Sequence, residues 1–598
     1  MADESLWRAI ATLRKQGEQE AMLARLHDAL RREALDPEEL ERAGRLLAKE
    51  LREPAPKIRV LGQCTTSWLT PMVAAVAWGR GVRLDVSEGE FDNIVQDLTA
   101  HTSPGIVVLL PWSDRVLATA RSADERIADE LAFWSHAWRL ASERGARIVQ
   151  IGYDWQGAGP LGYHLGGASR GDLAIIREVD QRLREALPAG AYFVDLEAVS
   201  GHLGRARFYD PRQYHWTRQP FSMLGAAALA RHVFAGIRAL LTGPKKVLVL
   251  DLDNTLWGGV VGETGPLGIA LGGSAEGEAF RAFQLHLEGL ARRGVVLAVA
   301  SKNNPIDARE PFGVHPDMVL SLDDFAAFEA SWEPKAVALR RIADTLGLGL
   351  DSFVFFDDNP AEREHIRQAL PEVEVADVPE DPADFVRALE QGLWFESAGL
   401  TDEDRGRTAH YAVERKRVEL KHAATSLDDY LTSLEMSAQV RELDDPDMQR
   451  VIQLIGKTNQ FNLTTRRHSE AQVRAILAGA GNVALTVRLR DRFSDYGLVS
   501  VVFGVAQVEA ELPTLEIDTW LMSCRVIGRT LESLVLRELI QRSVRMGYRR
   551  IVGEYLPTAK NALVAGLYGA LGFASLGSGR YALEVPPGEL PRTFVAVE

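Results

Sequence analysis

Apolar positions fall into three regimes along the chain. In residues 4–52, Leu6, Ile10 and Leu13, then Leu23, Leu26 and Leu30, recur at helical spacing and predict a helical lead-in over residues 1–55. "REPAPK" at 52–57 breaks that pattern. From "IRVLGQCTTSW" onward, short apolar runs alternate with long helical stretches: "GIVVLLPW" (105–112), "ARIVQIGYDW" (146–155) and "AYFVDL" (191–196) read as buried strands. That alternation predicts a parallel sheet flanked by helices over residues 56–242. "LTGP" at 241–244 closes this domain, and "KKVLVL" opens a second one, expected over 243–395. After "FESAGLTDEDRGR" (395–407) the pattern turns to α+β, with a helical linker expected at 396–435 and a last domain at 436–598. The expected fold class is therefore α/β multidomain, without internal repeats or low-complexity tracts.

Length agrees with several domains, because 598 residues exceed what one core usually organises. With 46% hydrophobic and 25% charged residues the chain reads as globular. No apolar run approaches the ~20 residues of a membrane span, and the charged N-terminus lacks a signal-peptide core. The only cysteines, Cys64 and Cys524, exclude a disulfide framework and cysteine-rich metal sites. The expectation is a cytoplasmic protein with no membrane partner. A formal net charge of −15 argues against nucleic-acid binding, which draws on basic surface. The basic run "ERKRVELKH" (414–422) reads as a solvated helix face.

Chemistry concentrates in "KKVLVLDLDNTLWGGVVGE" (245–263). Asp251 and Asp253 follow an aliphatic strand, and period-two alternation would put both carboxylates on one side. At the C-terminal edge of a parallel sheet that is where ligands bind. Two carboxylates this close repel unless a cation lies between them, and Mg2+ prefers such hard oxygen ligands. Asp251 could then attack phosphorus while Asp253 moves the proton of the leaving alcohol. Alone, D-x-D is no more than a capped turn. Three further signals come after it in order. "GVVLAVASKNN" (294–304) ends a strand at Ser301, able to hold a phosphate oxygen; "SWEPKAVALRRIA" (331–343) places Lys335 near a helix start, to neutralise phosphate; "SFVFFDDNPAERE" (352–364) ends in Asp357 and Asp358, suited to complete a metal shell.

This ordered set resembles the haloacid-dehalogenase (HAD) superfamily of aspartate-nucleophile phosphatases. The resemblance implies catalysis by Asp251 and Asp253, phosphate binding by Ser301, Lys335, Asn254 and Thr255, and a metal shell of Asp251, Asp253, Asp357 and Asp358. Fifty residues separate Asp251 from Ser301 and 34 separate Ser301 from Lys335, too few for a large lid domain. An open site of this kind admits phosphate presented on a macromolecule.

"TWLMSCRVIGRTLESLVLRELI" (519–540) reads as a strand, a turn holding Gly528, and a helix. It resembles the R-x-x-G-x-G/A loop of GNAT acyltransferases, where helix-start N–H groups cradle the pyrophosphate of coenzyme A. Thr530 stands where that signature has Gly or Ala, so the arm of a carrier protein is the alternative ligand. Arg525, Gly528 and Arg529, with Asn561 and Tyr568 in "YLPTAKNALVAGLYGALGF" (555–573), form the candidate acyl and pantetheine surface. Together with "KTNQFNLTTRR" (457–467), "DRFSDYGLVSVVFG" (491–504) and "SCRVIGR", these blocks resemble the FkbH-like family of HAD-type glyceryl-acyl carrier protein synthases. The resemblance covers roughly residues 57 to 590. It implies that the chain takes 1,3-bisphosphoglycerate, captures the glyceryl unit as a thioester, removes the remaining phosphate with Mg2+, and loads a phosphopantetheinylated acyl carrier protein.

Many members of that family carry a cysteine just before the strand-end serine, where this chain has Ala300. A thioester would then form on Cys524, beside Arg525, or on Cys64. Cys524 is equally readable as an inert core residue, and the carrier thiol could attack the acyl phosphate directly. The first domain resembles SGNH hydrolases, with a flavodoxin-type sheet, but Gly62-Gln63-Cys64 replaces G-D-S, and Asp210 and His215 are spaced wrongly for D-x-x-H. It is read as a retained scaffold for docking. His410, His422 and His468 show no metal-ligand spacing and are read as surface or core residues. Two other readings compete: a GNAT acyltransferase with a decayed HAD domain, and a non-enzymatic docking protein.

Overall fold

In the computed structural model the described residues are 4–50, 54–100, 105–117, 121–157, 159–168, 171–399, 426–458, 460–507, 512–558 and 561–598. The basic run at 414–422 and His410 and His422 lie outside them, as does most of the expected linker. The chain divides into two compact units: Met1–Val295 with His315–Val319 and Asp351–Arg405, and Val296–Val314 with Leu320–Leu350 and Gly406–Glu598. The fold class is the expected one, α/β multidomain, with parallel sheets and one mixed sheet.

In the first unit, β1 (Lys57–Gly62), β2 (Asp85–Glu88), β3 (Ile106–Leu110), β4 (Arg147–Ile151) and β5 (Tyr192–Val194) form a sheet of order β2-β1-β3-β4-β5. All four pairings are parallel. This is the flavodoxin-type order, whose switch point lies between β1 and β3. The lead-in helices Glu4–Gln16, Gln19–Arg31 and Pro37–Glu50 are no separate appendage, because Leu6, Ile10, Leu26 and Leu30 enter the same core as β1 and β3. Helix Met223–Leu241 is long and apolar enough by composition to cross a membrane, contrary to the expectation that no stretch would be. It buries Leu229, Val233 and Ile237 in that same core.

The next five strands are β6 (Val247–Leu250), β7 (Val296–Ser301), β8 (Phe325–Ala330), β9 (Phe353–Phe356) and β10 (Glu374–Val375). In the first unit β9 lies between β10 and β6, parallel to both. Every residue of β6 and β9 is buried, as expected of parallel strands covered on both faces. A charged knot ties this sheet to the preceding domain within the unit: Arg80 pairs with Glu374 at 3.0 Å, Lys245 lies 3.8 Å from it, and Arg238 donates to Leu393 O. Burial alone would raise the Glu374 pKa, but Arg80, Lys245 and Arg238 outweigh it and hold the carboxyl below its ordinary value.

In the second unit β7 and β8 pair in parallel. The remaining strands, β11 (Ser437–Glu442), β12 (Val483–Arg490), β13 (Asp495–Gln507), β14 (Thr514–Met522), β15 (Arg550–Glu554), β16 (Ala574–Gly577), β17 (Arg580–Glu584) and β18 (Ala596–Val597), form one mixed sheet of order β16-β17-β15-β14-β13-β12-β11-β18. Only β14/β15 and β11/β18 are parallel. Helix Leu531–Arg545 makes the crossover that a parallel β14–β15 pair requires.

Candidate active site

β6 ends at Leu250, before either aspartate, so strand alternation does not govern Asp251 and Asp253. The chain turns instead, with Thr255 N and Leu256 N both reaching back to Leu252 O. Asp251 N donates to Phe356 O at 3.1 Å, which fixes it against the end of β9 and hence beside Asp357 and Asp358. Carboxylate oxygens of Asp251, Asp357 and Asp358 lie within 4.8 Å of one another. Asp357 is fully buried and Asp251 nearly so. Three carboxylates gathered this closely could hold a cation, and an all-oxygen set suits a hard divalent ion.

Asp253, also expected in the metal shell, is not one of these three mutually close carboxylates. Its Oδ1 accepts from Trp257 Nε1 at 2.9 Å and from Val261 N at 3.1 Å. Two donors hold Asp253 in one orientation, which suits a proton-transfer group. Asn254 sits in the left-handed region at φ 54°, and its Oδ1 accepts from Gly259 N at 2.8 Å. Thr255 is fully buried. Its Oγ1 donates to Asp358 Oδ1 and accepts from Asp358 N, both at 3.2 Å. Both residues expected on phosphate thus organise the turn and the cluster.

Two contributors escaped the reading of the sequence. Arg363 donates from Nη1 to both Asp357 O and Asp358 O at 2.7 Å, pinning the carboxylate-bearing loop. Trp257 orients Asp253. Both lie inside motifs quoted for their acids, six and four residues away from Asp357 and Asp253, but contacts through a turn leave no periodic trace. The stretch after Asp253 closes on itself through Gly258 N to Ala270 O (3.0 Å) and Ala270 N to Gly258 O (2.8 Å), and contains only the short helix Val261–Thr264. No lid domain lies between residues 251 and 301.

In the second unit, Ser301 closes β7 and is buried, accepting from Asn303 Nδ2 at 3.4 Å. Lys335 is the first residue of helix Lys335–Leu346 and is buried as well.

The GNAT-like loop is arranged differently from a pyrophosphate cradle. Gly528 N donates to Glu532 Oε1 at 3.1 Å, so a carboxylate occupies the donor an anion would need. Thr530 is held at φ 59°, a conformation glycine adopts at no cost. Arg529 is buried and turned to Asp491 (3.4 Å) and Tyr496. Asn561 is buried and fixes backbone: its Nδ2 donates to Asn462 O and Leu556 O, both at 2.9 Å, and its Oδ1 accepts from Thr558 N at 2.7 Å. Tyr568 is buried, its ring stacked on Tyr581 at 5.2 Å. Arg525 Nε donates to Ser523 Oγ at 3.3 Å. Cys524 begins a one-turn 3-10 helix, Cys524–Val526, and its side chain lies outside the described residues.

In the first domain, Cys64 comes just after β1 at the switch point, is 1% exposed, and burial pushes its thiol up. Gln63 is a strut: its Oε1 accepts from Trp112 N at 2.8 Å and its Nε2 donates to Glu130 Oε1 at 3.1 Å. Asp210 caps helix Pro211–Thr217 by accepting from Arg212 N and Gln213 N, and His215 is exposed on that helix. Gln63 and Asp210, two of the residues nearest to a hydrolase pattern, are therefore engaged in structure.

No family model and no curated protein matches the chain. Among solved structures, the acetyltransferase of the GNAT family from Streptococcus pneumoniae matches 25% of this chain and 99% of its own at 14% identity and TM-score 0.20. The GNAT domain of S. lividans PAT matches 25% and 90% at 19% identity and TM-score 0.21, and scores this low support no conclusion. The N-terminal part of BF1531 from Bacteroides fragilis, containing a phosphatase domain complexed with Mg, is 30% identical over 61% of this chain and 100% of its own, with TM-score 0.56. Through its N-terminal part, this chain belongs to the family of that phosphatase-domain protein.

Proposed function

We propose that the chain is a phosphatase joined to an acyltransferase, which loads a glyceryl unit from 1,3-bisphosphoglycerate onto the thiol of a phosphopantetheinylated acyl carrier protein and removes the remaining phosphate. The observation that carries the phosphatase half is the cluster of Asp251, Asp357 and Asp358, two of them buried, with Asp253 oriented by two donors in the turn that follows Asp251. The hard-oxygen cluster fits Mg2+, which when bound would offset phosphate charge and the mutual repulsion of the carboxylates. Asp251 attacks phosphorus through a carboxylate oxygen, and the bond from phosphorus to the substrate alkoxide breaks. Asp253 gives that alkoxide its proton, then takes one from the water that hydrolyses the aspartyl-phosphate. Thr255 and Arg363 keep Asp358 and its loop in place throughout. A phosphate monoester is among the slowest bonds to hydrolyse uncatalysed, so a covalent route has a chemical reason.

For the acyl-transfer half, the choice of a carrier-protein arm over coenzyme A is supported by the occupied loop. With Gly528 N committed to Glu532 and Arg529 committed to Asp491, a pyrophosphate would meet a carboxylate in place of donors. A carrier-bound arm has a single phosphate that stays at the carrier surface. Intact-mass spectrometry tests the reading: a carrier protein incubated with this chain, Mg2+ and 1,3-bisphosphoglycerate gains a glyceryl mass, and a phosphoglyceryl mass with Asp251→Asn. A carrier that keeps its original mass while simple monoesters are hydrolysed would leave a phosphatase without the transfer step.

A further inference from the structure

β14 and β15 run in parallel register from Thr514↔Arg550 to Ile517↔Gly553 and then separate. The wedge between them is filled by the chain itself. Met522 N donates to Phe461 O at 3.1 Å and Leu463 N to Trp520 O at 3.4 Å on one side, while Leu556 N donates to Leu463 O at 2.9 Å on the other. Segment 461–463 thus acts as a short inserted strand, bonded on both edges. The residues just beyond this segment are placed with equal definition. Thr465 turns the chain at φ 54°, and Arg466 and His468 come to rest on Asp518.

Asp518 itself is out of register. Phe503 faces Thr519 and Gly504 faces Ile517, so Asp518 is the extra residue of a β-bulge in β14. Bulges re-aim a side chain and recur beside active sites. His468 Nε2 lies 2.7 Å from Asp518 Oδ2 and 3.0 Å from Thr519 Oγ1, and Thr519 Oγ1 itself donates to Asp518 Oδ2 at 2.8 Å. Arg466 bridges Asp518 Oδ1 (2.8 Å) and Glu554 Oε2 (2.9 Å). A carboxylate that receives Nε2–H fixes the imidazole tautomer and leaves Nδ1 with a lone pair. Among the described residues Nδ1 has no hydrogen-bond partner. The group still touches solvent, with side-chain exposures of 14% for His468 and 18% for Asp518. This is the base-plus-orienter arrangement that activates nucleophiles.

We infer that His468, oriented by Asp518, is the general base of the C-terminal domain and takes the proton from the thiol of the acyl acceptor. The inference rests on the acyl-transfer reading given above. The S–H proton moves to Nδ1 as the sulfur electron pair forms the new C–S bond. The tetrahedral adduct then breaks its bond to the acyl-phosphate oxygen, and phosphate departs with that pair. The imidazolium returns its proton to water. Asp518 is a positioning residue, and Arg466 holds Asp518 against Glu554.

The test uses the full chain with a phosphopantetheinylated carrier protein, free pantetheine as a second acceptor, 1,3-bisphosphoglycerate and Mg2+. Transfer is monitored by intact mass, and hydrolysis of p-nitrophenyl phosphate is measured in parallel. His468→Gln is expected to lower transfer at saturating acceptor by about 10²–10⁴-fold, the usual worth of a general base, with p-nitrophenyl phosphate hydrolysis unchanged. Added imidazole is expected to restore transfer by His468→Ala, which a purely structural histidine would not allow. Transfer by His468→Gln within about threefold of wild type would overturn the assignment while leaving the acyl-transfer reading intact. Where both activities fall together, the imidazole arm decides: rescue supports the base, and its absence overturns it. A wild-type chain that acylates neither thiol removes both readings at once.

Discussion

Thr255→Val tests how the acidic cluster is held. Valine keeps the shape of threonine but removes the hydroxyl that binds Asp358 twice, once at Oδ1 and once at N. Because Thr255 is fully buried, no water replaces it readily, and Asp358 N is left without that acceptor. A buried group losing its partner costs about 1–3 kcal/mol of stability. The functional effect is larger, because outer partners of metal-binding carboxylates are worth roughly 10–100-fold in metal affinity. The assay is phosphate release from p-nitrophenyl phosphate against Mg2+ concentration, with urea unfolding in parallel. The half-saturating Mg2+ concentration should rise about 10–100-fold, while Thr255→Ser, which keeps the hydroxyl, stays near wild type. An unchanged Mg2+ dependence in Thr255→Val would refute the claim that this hydroxyl positions Asp358 for the metal.

The packing sets three more expected outcomes. Glu374→Gln should cost about 1–3 kcal/mol at neutral pH, because Lys245 loses its carboxylate partner and Arg80 keeps only Glu33, 2.7 Å away. Since Arg80, Lys245 and Arg238 hold the Glu374 carboxyl below its ordinary value, its stabilisation is complete above the unfolded pKa and fades as pH falls through the folded one. The wild-type advantage in urea melts should therefore shrink on acidification below the ordinary carboxyl value of 4.5, and a gap independent of pH would contradict the pairing. Arg529→Met removes the cation beside the buried Asp491 carboxylate, which keeps Phe493 N, Ser494 N and Tyr496 Oη as donors, and should cost about 1–3 kcal/mol in urea unfolding, where a solvent-facing ligand residue would cost almost nothing. Cys64 should resist iodoacetamide in the native chain and react after unfolding, read by peptide mass; rapid native labelling would contradict its burial.

The sequence displayed the covered strands best. β6 and β9 are apolar at every position because both faces are packed, and such runs announce themselves. β2 did not, because three of its four residues are exposed at a sheet edge and it has no apolar pattern to show. β8, "FAAFEA", is composed largely of helix formers, and only its pairing with β7 makes it a strand. At the acidic site the residue types were legible and their geometry was not. Asp251, Asp357 and Asp358 meet at strand ends as their spacing suggested, whereas the turn after Leu250 engages Asp253, Asn254 and Thr255 in internal hydrogen bonds. Such turns depend on φ/ψ at single residues. His468 and Asp518 lie fifty positions apart, joined by a bulge and an inserted segment, so no linear spacing could have paired them.

The central claim is that Asp251 is the phosphoryl acceptor of a metal-dependent phosphatase site. The most direct measurement is single-turnover phosphate release with Mg2+ by wild type and Asp251→Asn, with trapping of the acid-stable phosphoenzyme sought by mass on the peptide holding residues 245–263. The account predicts a phospho-peptide modified at Asp251 in wild type, and at least ~10³-fold slower release in Asp251→Asn, as expected when a nucleophile is removed. Release at the wild-type rate from Asp251→Asn, with the protein folded, would contradict it.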